Sequence, residues 1–285
     1  MTNYICVTCG MQYTETENPP EHCIICEDDR QYIGAKGQLW TTIPEMQKTH
    51  HNRIEEVEPN LTGIGTVPTF AIGQRALLVQ TPNGNVLWDC PSLLDDATIE
   101  AVRSRGGINA IAVSHPHLVG SLVDWSRAFG NAPIYWHADN RDFVGRSDSA
   151  YQFWDGETYP LLDGLTLVRC SGHFPGSDVL HWANGADGRG VLLAGDTIQI
   201  AQDKRYVSFM YSYPNMIPLN ARAVEHIVQA VEPFAFDRIY GGWWEAIIPA
   251  GAKSAVKRSA ERYIKAIQTY IISSKFDPLE HHDRH

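Results

Sequence analysis

The stretch Ile108-Asn109-Ala110-Ile111-Ala112-Val113-Ser114-His115-Pro116-His117 decides how the rest of the chain is interpreted. Its first part is short, apolar and β-branched, which is typical of a buried strand. If the backbone stays extended through Pro116, His115 and His117 point the same way, because strand side chains repeat every two residues. Two imidazoles at the end of a strand predict a transition-metal site, with a pair of exposed loop histidines as the alternative.

Composition and charge limit the classes of function. The chain has 285 residues, 44% of them hydrophobic, which suits one large domain with or without a small module. The net charge of −10 argues against binding to nucleic acid or anionic membranes. No segment is long and apolar enough to span a bilayer, and the N-terminus lacks a signal-peptide pattern. We predict a cytoplasmic protein that acts on a small-molecule substrate and binds neither nucleic acid nor membranes.

Four cysteines near the N-terminus form two C-x2-C pairs, Cys6 with Cys9 and Cys23 with Cys26. Two such pairs separated by a short polar loop indicate structural zinc, because four thiolates complete a tetrahedral shell. Two disulfides or a redox motif fit a cytosolic chain and the doubled motif less well. We predict a zinc ribbon over residues 1–34. Its expected role is structural or as a contact for a protein partner, since a closed shell has no open coordination position.

Turn signals divide the remainder of the chain. Residues 35–60 are punctuated by glycine and proline and are interpreted as a linker. The main domain is expected over 61–275, and Asn83-Gly84 between two apolar runs predicts a hairpin within it. The last residues, 276–285, are predicted to form a flexible tail.

Two further segments place candidate ligands at strand ends. His173 lies in the turn Gly172-His173-Phe174-Pro175-Gly176-Ser177, whose small residues allow the backbone to approach a ligand closely. Asp196 follows the apolar run 191–195, and a carboxylate at the edge of a buried strand needs a partner such as a cation. Together with His115 and His117, these residues predict one metal centre.

This order and spacing resemble the metallo-β-lactamase superfamily over roughly residues 60–275. Family members carry H-x-H-x-D-H after a strand, then Gly-His-x-Pro-Gly-Ser, then Gly-Asp after another strand. His115-Pro116-His117, the turn at 172–177 and Gly195-Asp196 match these motifs, and Asp89 resembles the family's Asp at the end of an early strand. The resemblance implies an α/β fold, an αββα sandwich with the metal site at one edge of its two sheets.

The chain departs from the family pattern where a second metal would bind. Val119-Gly120 replaces Asp-His after the first motif, and residues 241–245 hold no counterpart of the family's late histidine. The resemblance therefore implies an intact three-histidine site, with Asp196 as a fourth ligand or neighbouring group, and a lost second site. Four residues are weaker candidates to line the pocket, the last also as a substitute ligand: His137, Tyr213, Trp243 and Glu245.

A three-histidine site with an open position suffices for hydrolysis, because zinc lowers the pKa of its bound water to about 7. We predict a metal-dependent hydrolase of esters, thioesters, lactones or amides, in which Asp196 orients the water or protonates the leaving group. Imidazole binds zinc and iron alike, so an iron(II) oxygenase using His115, His173 and Asp196 is an alternative. A second alternative is a non-catalytic, metal-stabilised binding protein.

Overall fold

The computed structural model describes residues 1–268. The predicted tail at 276–285 and the end of the predicted main domain lie outside these residues. The N-terminal module contains three short elements: β1 (Ile5–Cys6), β2 (Trp40–Thr41) and α1 (Ile43–Met46). β1 and β2 pair in an antiparallel arrangement. Residues 40–41 thus pair with the strand that carries Cys6, so the N-terminal module extends beyond its predicted end at residue 34.

The next part of the chain forms the first of two large sheets. Its elements are β3 (His51–Glu58), β4 (Leu61–Val67), β5 (Arg75–Thr81), β6 (Gly84–Trp88), α2 (Asp96–Arg103), β7 (Ala110–Ala112), α3 (Leu122–Ala128), β8 (Ile134–His137) and β9 (Tyr151–Trp154). The seven strands are hydrogen-bonded in chain order. Strands β6 to β9 run parallel, so the carboxyl ends of β6 and β7 lie at one edge of the sheet. The predicted hairpin at Asn83-Gly84 is confirmed, since it joins β5 and β6.

The predicted linker is the main correction to the domain organisation. Residues 35–60 contain α1 and the whole of β3, which pairs with β4 as the edge strand of the first sheet. Charged residues on the exposed face of β3, such as Arg53 and Glu55, give the strand a polar composition. An edge strand with one solvated face needs few apolar residues, so its composition resembles that of a loop.

The second half of the chain forms the other sheet. Its strands are β10 (Thr158–Leu162), β11 (Leu165–Arg169), β12 (Asp178–Trp182), β13 (Val191–Gly195), β14 (Gln199–Ile200), β15 (Val207–Ser208), β16 (Met210–Ser212), β17 (Ile217–Pro218), β18 (Arg238–Gly241) and β19 (Ile247–Ile248). Its helical elements are α4 (Gly185–Gly188), a single turn in which Ala186 and Asp187 have positive φ, α5 (Ala221–Val231) and α6 (Ala252–Gln268). Six strands form the sheet in the order β10-β11-β12-β13-β18-β19, and β13 runs parallel to β18. The remaining four form two small hairpins.

The predicted αββα sandwich is confirmed by the apolar clusters. One cluster lies between the sheets and joins residues such as Leu77 and Trp88 to Leu180 and Leu193. The helices α5 and α6 cover the outer face of the second sheet, and α2 and α3 cover that of the first. Burying both faces of each sheet is the arrangement that parallel strands require. No helix among residues 1–268 has the length and apolar character needed to cross a bilayer.

The N-terminal module shares a core with the first sheet. Cys6 and Met11 belong to the same apolar cluster as Leu87 and Trp125. Ser92 Oγ donates a hydrogen bond to the carbonyl of Gly10 at 2.7 Å. The module is therefore packed into the sandwich rather than tethered to it.

Candidate metal centre

The four predicted ligands meet at one edge of the sandwich. β7 ends at Ala112, and residues 116–118 form a single 3-10 turn, so the extended backbone predicted through Pro116 is not formed. This turn, rather than strand alternation, brings the second imidazole round to the first. His173 lies in the loop between β11 and β12, and Asp196 directly follows β13.

The side chains converge tightly. The Asp196 Oδ1 atom lies 2.8 Å from His115 Nε2 and 3.9 Å from His173 Nε2. His173 Nε2 lies 3.1 Å from His117 Nδ1. One ligand atom from each of the four residues can be chosen so that all lie within 4.8 Å of one another. A single ion could therefore contact all four residues.

The donor set fits a metal ion because it is buried and incompletely paired. No member exposes more than 4% of its surface. His115 Nε2, His117 Nε2 and Asp196 Oδ1 have no hydrogen-bond partner among the described residues. Buried polar atoms without partners cost free energy, and a cation held by imidazole nitrogens and a carboxylate removes that cost. Three histidines with one carboxylate suit zinc or iron.

A second layer orients His115. Ser114 Oγ lies 2.8 Å from His115 Nδ1 and donates to Asp89 Oδ1 at 2.8 Å. The Ser114 backbone N–H donates to the same carboxylate oxygen at 2.9 Å. Since the hydroxyl proton goes to Asp89, His115 Nδ1–H is the donor to Ser114 Oγ, and the lone pair of Nε2 faces the site. This relay is the outer-shell arrangement that fixes the tautomer of metal-binding histidines.

Carbonyl groups orient His173 in the same way. Its Nδ1 lies 2.9 Å from the carbonyl oxygen of Tyr211 and 3.1 Å from that of Met210. Carbonyls only accept, so Nδ1 carries the proton and Nε2 presents a lone pair to the site. Both carbonyls belong to β16.

The protonation states also favour a cation. Burial lowers the pKa of His117 well below its ordinary value and that of His173 to about 4, so both imidazoles are neutral near pH 7. Burial alone would raise the pKa of Asp196, but the adjacent imidazoles, His115 foremost, hold it well below its usual range. Neutral imidazole and ionised carboxylate are the forms that bind metals.

The predicted loss of a second site agrees with the backbone at Gly120. This residue has a φ of +49°, and a Cβ there would lie 2.5 Å from the carbonyl oxygen of Cys90. No ligand side chain fits at that position. Among residues 1–268, the groups able to hold an ion are this cluster and the four cysteines.

The weaker candidates are dispersed around the centre. His137 Nε2 lies 3.2 Å from the Gly156 carbonyl, outside the ligand cluster. Tyr213 contacts His173 edge-on at 5.5 Å between ring centroids. The Trp243 indole donates to the carbonyl of Ile72, and Glu245 is exposed. Of these four residues, Tyr213 is the one that touches a ligand.

The four cysteines form a second compact group. Cys6 Sγ lies 3.5 Å from Cys26 Sγ, and Cys9 Sγ lies 3.6 Å from Cys23 Sγ. All four are buried and unbridged. The hydrogen bonds from the other thiols lower the pKa of Cys6, whereas burial raises that of Cys9. Four buried, unbridged thiols within a few ångströms of one another fit the predicted zinc site.

Three residues close to the centre were not singled out from the sequence. Phe174 is fully buried, and its ring stacks on His115 at 5.7 Å between centroids. Asp178 has neither carboxylate oxygen hydrogen-bonded among the described residues, and burial raises its pKa well above the usual range. The guanidinium of Arg30 lies 4.4 Å from the Phe174 ring. Phe174 and Asp178 belong to or follow the quoted turn, but no local signal connects Arg30 to it.

Comparison with solved structures places the fold among the metallo-β-lactamases. VMB-1 aligns with a TM-score of 0.57 and 14% identity, over 76% of this chain and 98% of its own. DIM-1 gives the same TM-score and identity over 76% and 98%. FIM-1 of Pseudomonas aeruginosa, solved in a mono-zinc form, aligns with a TM-score of 0.54 and 16% identity over 74% and 95%. At these identities the likeness shows the fold alone.

Comparison of sequences finds a much closer relative. The uncharacterized protein YmaE of Bacillus subtilis (strain 168) is 48% identical over 271 residues, which cover 94% of this chain and 98% of YmaE. No protein-family model matches the chain.

Proposed function

The chain belongs to the same family as Bacillus subtilis YmaE and has the metallo-β-lactamase fold, and from this premise we propose that it is a metal-dependent hydrolase with one metal in the sandwich. The observation that carries the proposal is the buried cluster of His115, His117, His173 and Asp196, whose ligand atoms converge within 4.8 Å. We propose zinc as the metal, with a small ester, thioester, lactone or amide as substrate.

Each residue of the centre would have a distinct role in hydrolysis. The three imidazoles would hold the ion through their ring nitrogens, and the ion when bound would supply Lewis acidity toward water and a substrate carbonyl. Asp196 stays ionised and is able to accept a proton from an attacking water or to orient it. Ser114 and Asp89 would keep the lone pair of His115 Nε2 directed into the site, so that the site would need little reorganisation to bind an ion.

The test is a paired measurement on Asp196→Asn. This change preserves size but removes the charge, and we expect turnover to fall by about 10²-fold or more, the scale of positioned acid–base catalysis. Asp187→Asn is the matched control, because its carboxylate is 87% exposed in α4, beyond the other end of β13. Turnover would be measured on a panel of the four substrate classes, with metal content determined in parallel.

Each outcome has a definite meaning. Equal turnover in wild type and Asp196→Asn would contradict metal-assisted hydrolysis at this site. A protein that binds its metal but turns over no member of the panel would favour the binding-protein alternative. Iron in place of zinc after expression without added metal would favour the oxygenase.

A further inference from the structure

The loop spanning β16 and β17 holds two of the four candidate ligands. Two of its carbonyls accept from His173 Nδ1, as described above. The Tyr213 hydroxyl donates to the backbone carbonyl of Asp196 at 2.7 Å. This loop therefore controls the ring orientation of one ligand and the backbone position of another.

The same loop is fastened to the N-terminal module. The Asn215 Nδ2 atom donates to the carbonyls of Asp29 and Gln31, both at 3.0 Å. Ser212 Oγ, which is fully buried, donates to the carbonyl of Arg30 at 3.1 Å. Three successive carbonyls of the module thus accept hydrogen bonds from one hairpin, about 185 residues further along the chain.

Arg30 adds a second contact between the module and the centre. Its guanidinium lies over the rings of Phe174 and Tyr211, at 4.4 and 4.7 Å from their centroids. A bidentate contact with Asp28 at 2.7 and 2.8 Å fixes its orientation. Phe174 stacks on His115, so the cation–π contact supports the wall against which that ligand rests.

The shape of the segment 28–31 depends on the cysteine cluster. It begins two residues after Cys26, and its backbone turns through hydrogen bonds from Asp28 N to the Ile25 carbonyl and from Gln31 N to the Asp28 carbonyl. Short polar segments of this kind hold one conformation only when a metal or a core fixes their ends.

We propose that the four-cysteine module is a positioning element of the metal centre in the sandwich. Metal bound by the cysteines fixes residues 28–31, these fix the hairpin through Asn215 and Ser212, and the hairpin orients His173 and Asp196. Binding at one cluster then strengthens binding at the other, and the coupling is reciprocal. The inference rests on the sandwich metal site of the proposed function, but not on hydrolysis.

The first test breaks the link and leaves both clusters intact. Asn215→Ala in the full-length protein should lower the affinity of the sandwich site for cobalt(II) by about 10-fold or more, the lower end of the effect of outer-shell groups. Cobalt(II) binding at the cysteine cluster, titrated while the sandwich site is still empty, should be unchanged, since the reciprocal coupling acts only when both sites are filled. It is separately visible because thiolate ligands give cobalt(II) intense charge-transfer absorption. Asn83→Ala is the matched control, an exposed asparagine in the β5–β6 turn. Equal sandwich affinity in Asn215→Ala and wild type would overturn the proposal.

The second test asks whether the cysteines act through this link. Cys9→Ser should weaken cobalt(II) binding in the sandwich by a similar factor. Adding Asn215→Ala to that variant should weaken binding little further, because both changes break the same connection. Fully additive effects would overturn the proposed route. If Cys9→Ser fails to fold, Asn215→Ala alone decides.

Coupled binding without turnover would leave this inference standing and refute the proposed function, whereas a sandwich that binds no cobalt(II) at all would refute both.

Discussion

The two candidate metal clusters are built in opposite ways. The cysteine cluster draws its four ligands from a span of 21 residues, Cys6 to Cys26, whereas the sandwich cluster spans 82, from His115 to Asp196. In the first, knuckles formed by local turns set the geometry. In the second, the strand ends of two sheets and an outer layer of hydrogen bonds set it. A local site can fold with its metal, but a distributed site requires the whole fold.

The largest expected effect is the loss of zinc from the cysteine cluster when one of its ligands is replaced. Cys23→Ser should remove about one equivalent of zinc, because a structural four-thiolate site contributes roughly 10–16 kcal/mol of apparent binding free energy. Cys170→Ala is the control, since Cys170 is a buried thiol outside the cluster. Elemental analysis of the purified proteins measures the difference. Thiols that react fully in the native wild type without a chelator would contradict the closed site.

The next effect concerns the loss of one ligand of the sandwich cluster. His117→Ala should lower the affinity of the sandwich site well beyond the about 10–100-fold typical of outer-shell changes, because a ligand is lost. His137→Ala provides the comparison, because His137 is a buried histidine at the end of the neighbouring strand β8 that does not join the cluster. Titration with a competing chelator measures both. Similar affinities in the two variants would exclude His117 as a ligand.

Asp89, the carboxylate linked to His115 through Ser114, should make the stability of the protein depend on pH. Burial raises the pKa of Asp89 to about 7 from 3.8. Between these values the folded state binds more protons than the unfolded state, so this group lowers wild-type stability as pH rises. Asp89→Asn removes this titrating group. The free energy of unfolding of the metal-free variant should therefore rise relative to that of the wild type between pH 4 and pH 7. The gain should be at most a few kcal/mol, because each unit of pKa shift corresponds to about 1.4 kcal/mol.

The control for that experiment matches the backbone as well as the charge. Asp89 and Asp187 have φ values of +59° and +56°, a region that asparagine tolerates. Asp187→Asn, at an exposed position, should therefore show a flat difference across the same pH range. Denaturant unfolding at several pH values gives both curves, and parallel curves would show that Asp89 is ionised throughout.

The smallest expected effect concerns the hydrogen bonds that orient His115 from outside the ligand cluster. Ser114→Ala removes the hydroxyl between His115 and Asp89 and should cost about 10–100-fold in sandwich affinity. Zinc in the cysteine cluster should be retained. An unchanged affinity would mean that His115 keeps its orientation through packing against Phe174 alone.

The difference between the clusters also explains what could be predicted from the sequence. The doubled C-x2-C pattern is local and indicated its site directly. The sandwich ligands and the αββα fold were accessible through the order of three motifs, each at a strand end. β3 was missed because an edge strand with a charged face resembles a linker. Arg30 and Asn215 were missed because their roles arise from contacts between distant segments, which no local spacing encodes.

The apolar cluster shared by the module and the first sheet has a consequence for how the protein denatures. Met11 and Trp125 lie in one core, so opening the module would expose the apolar surface of the sheet beneath it. The two parts should therefore melt in one cooperative transition, detected at the same temperature by probes in the module and in the sheet. A chain shortened to begin at residue 35 would carry that uncovered surface from the moment it is made, and it should aggregate rather than behave as an independent sandwich.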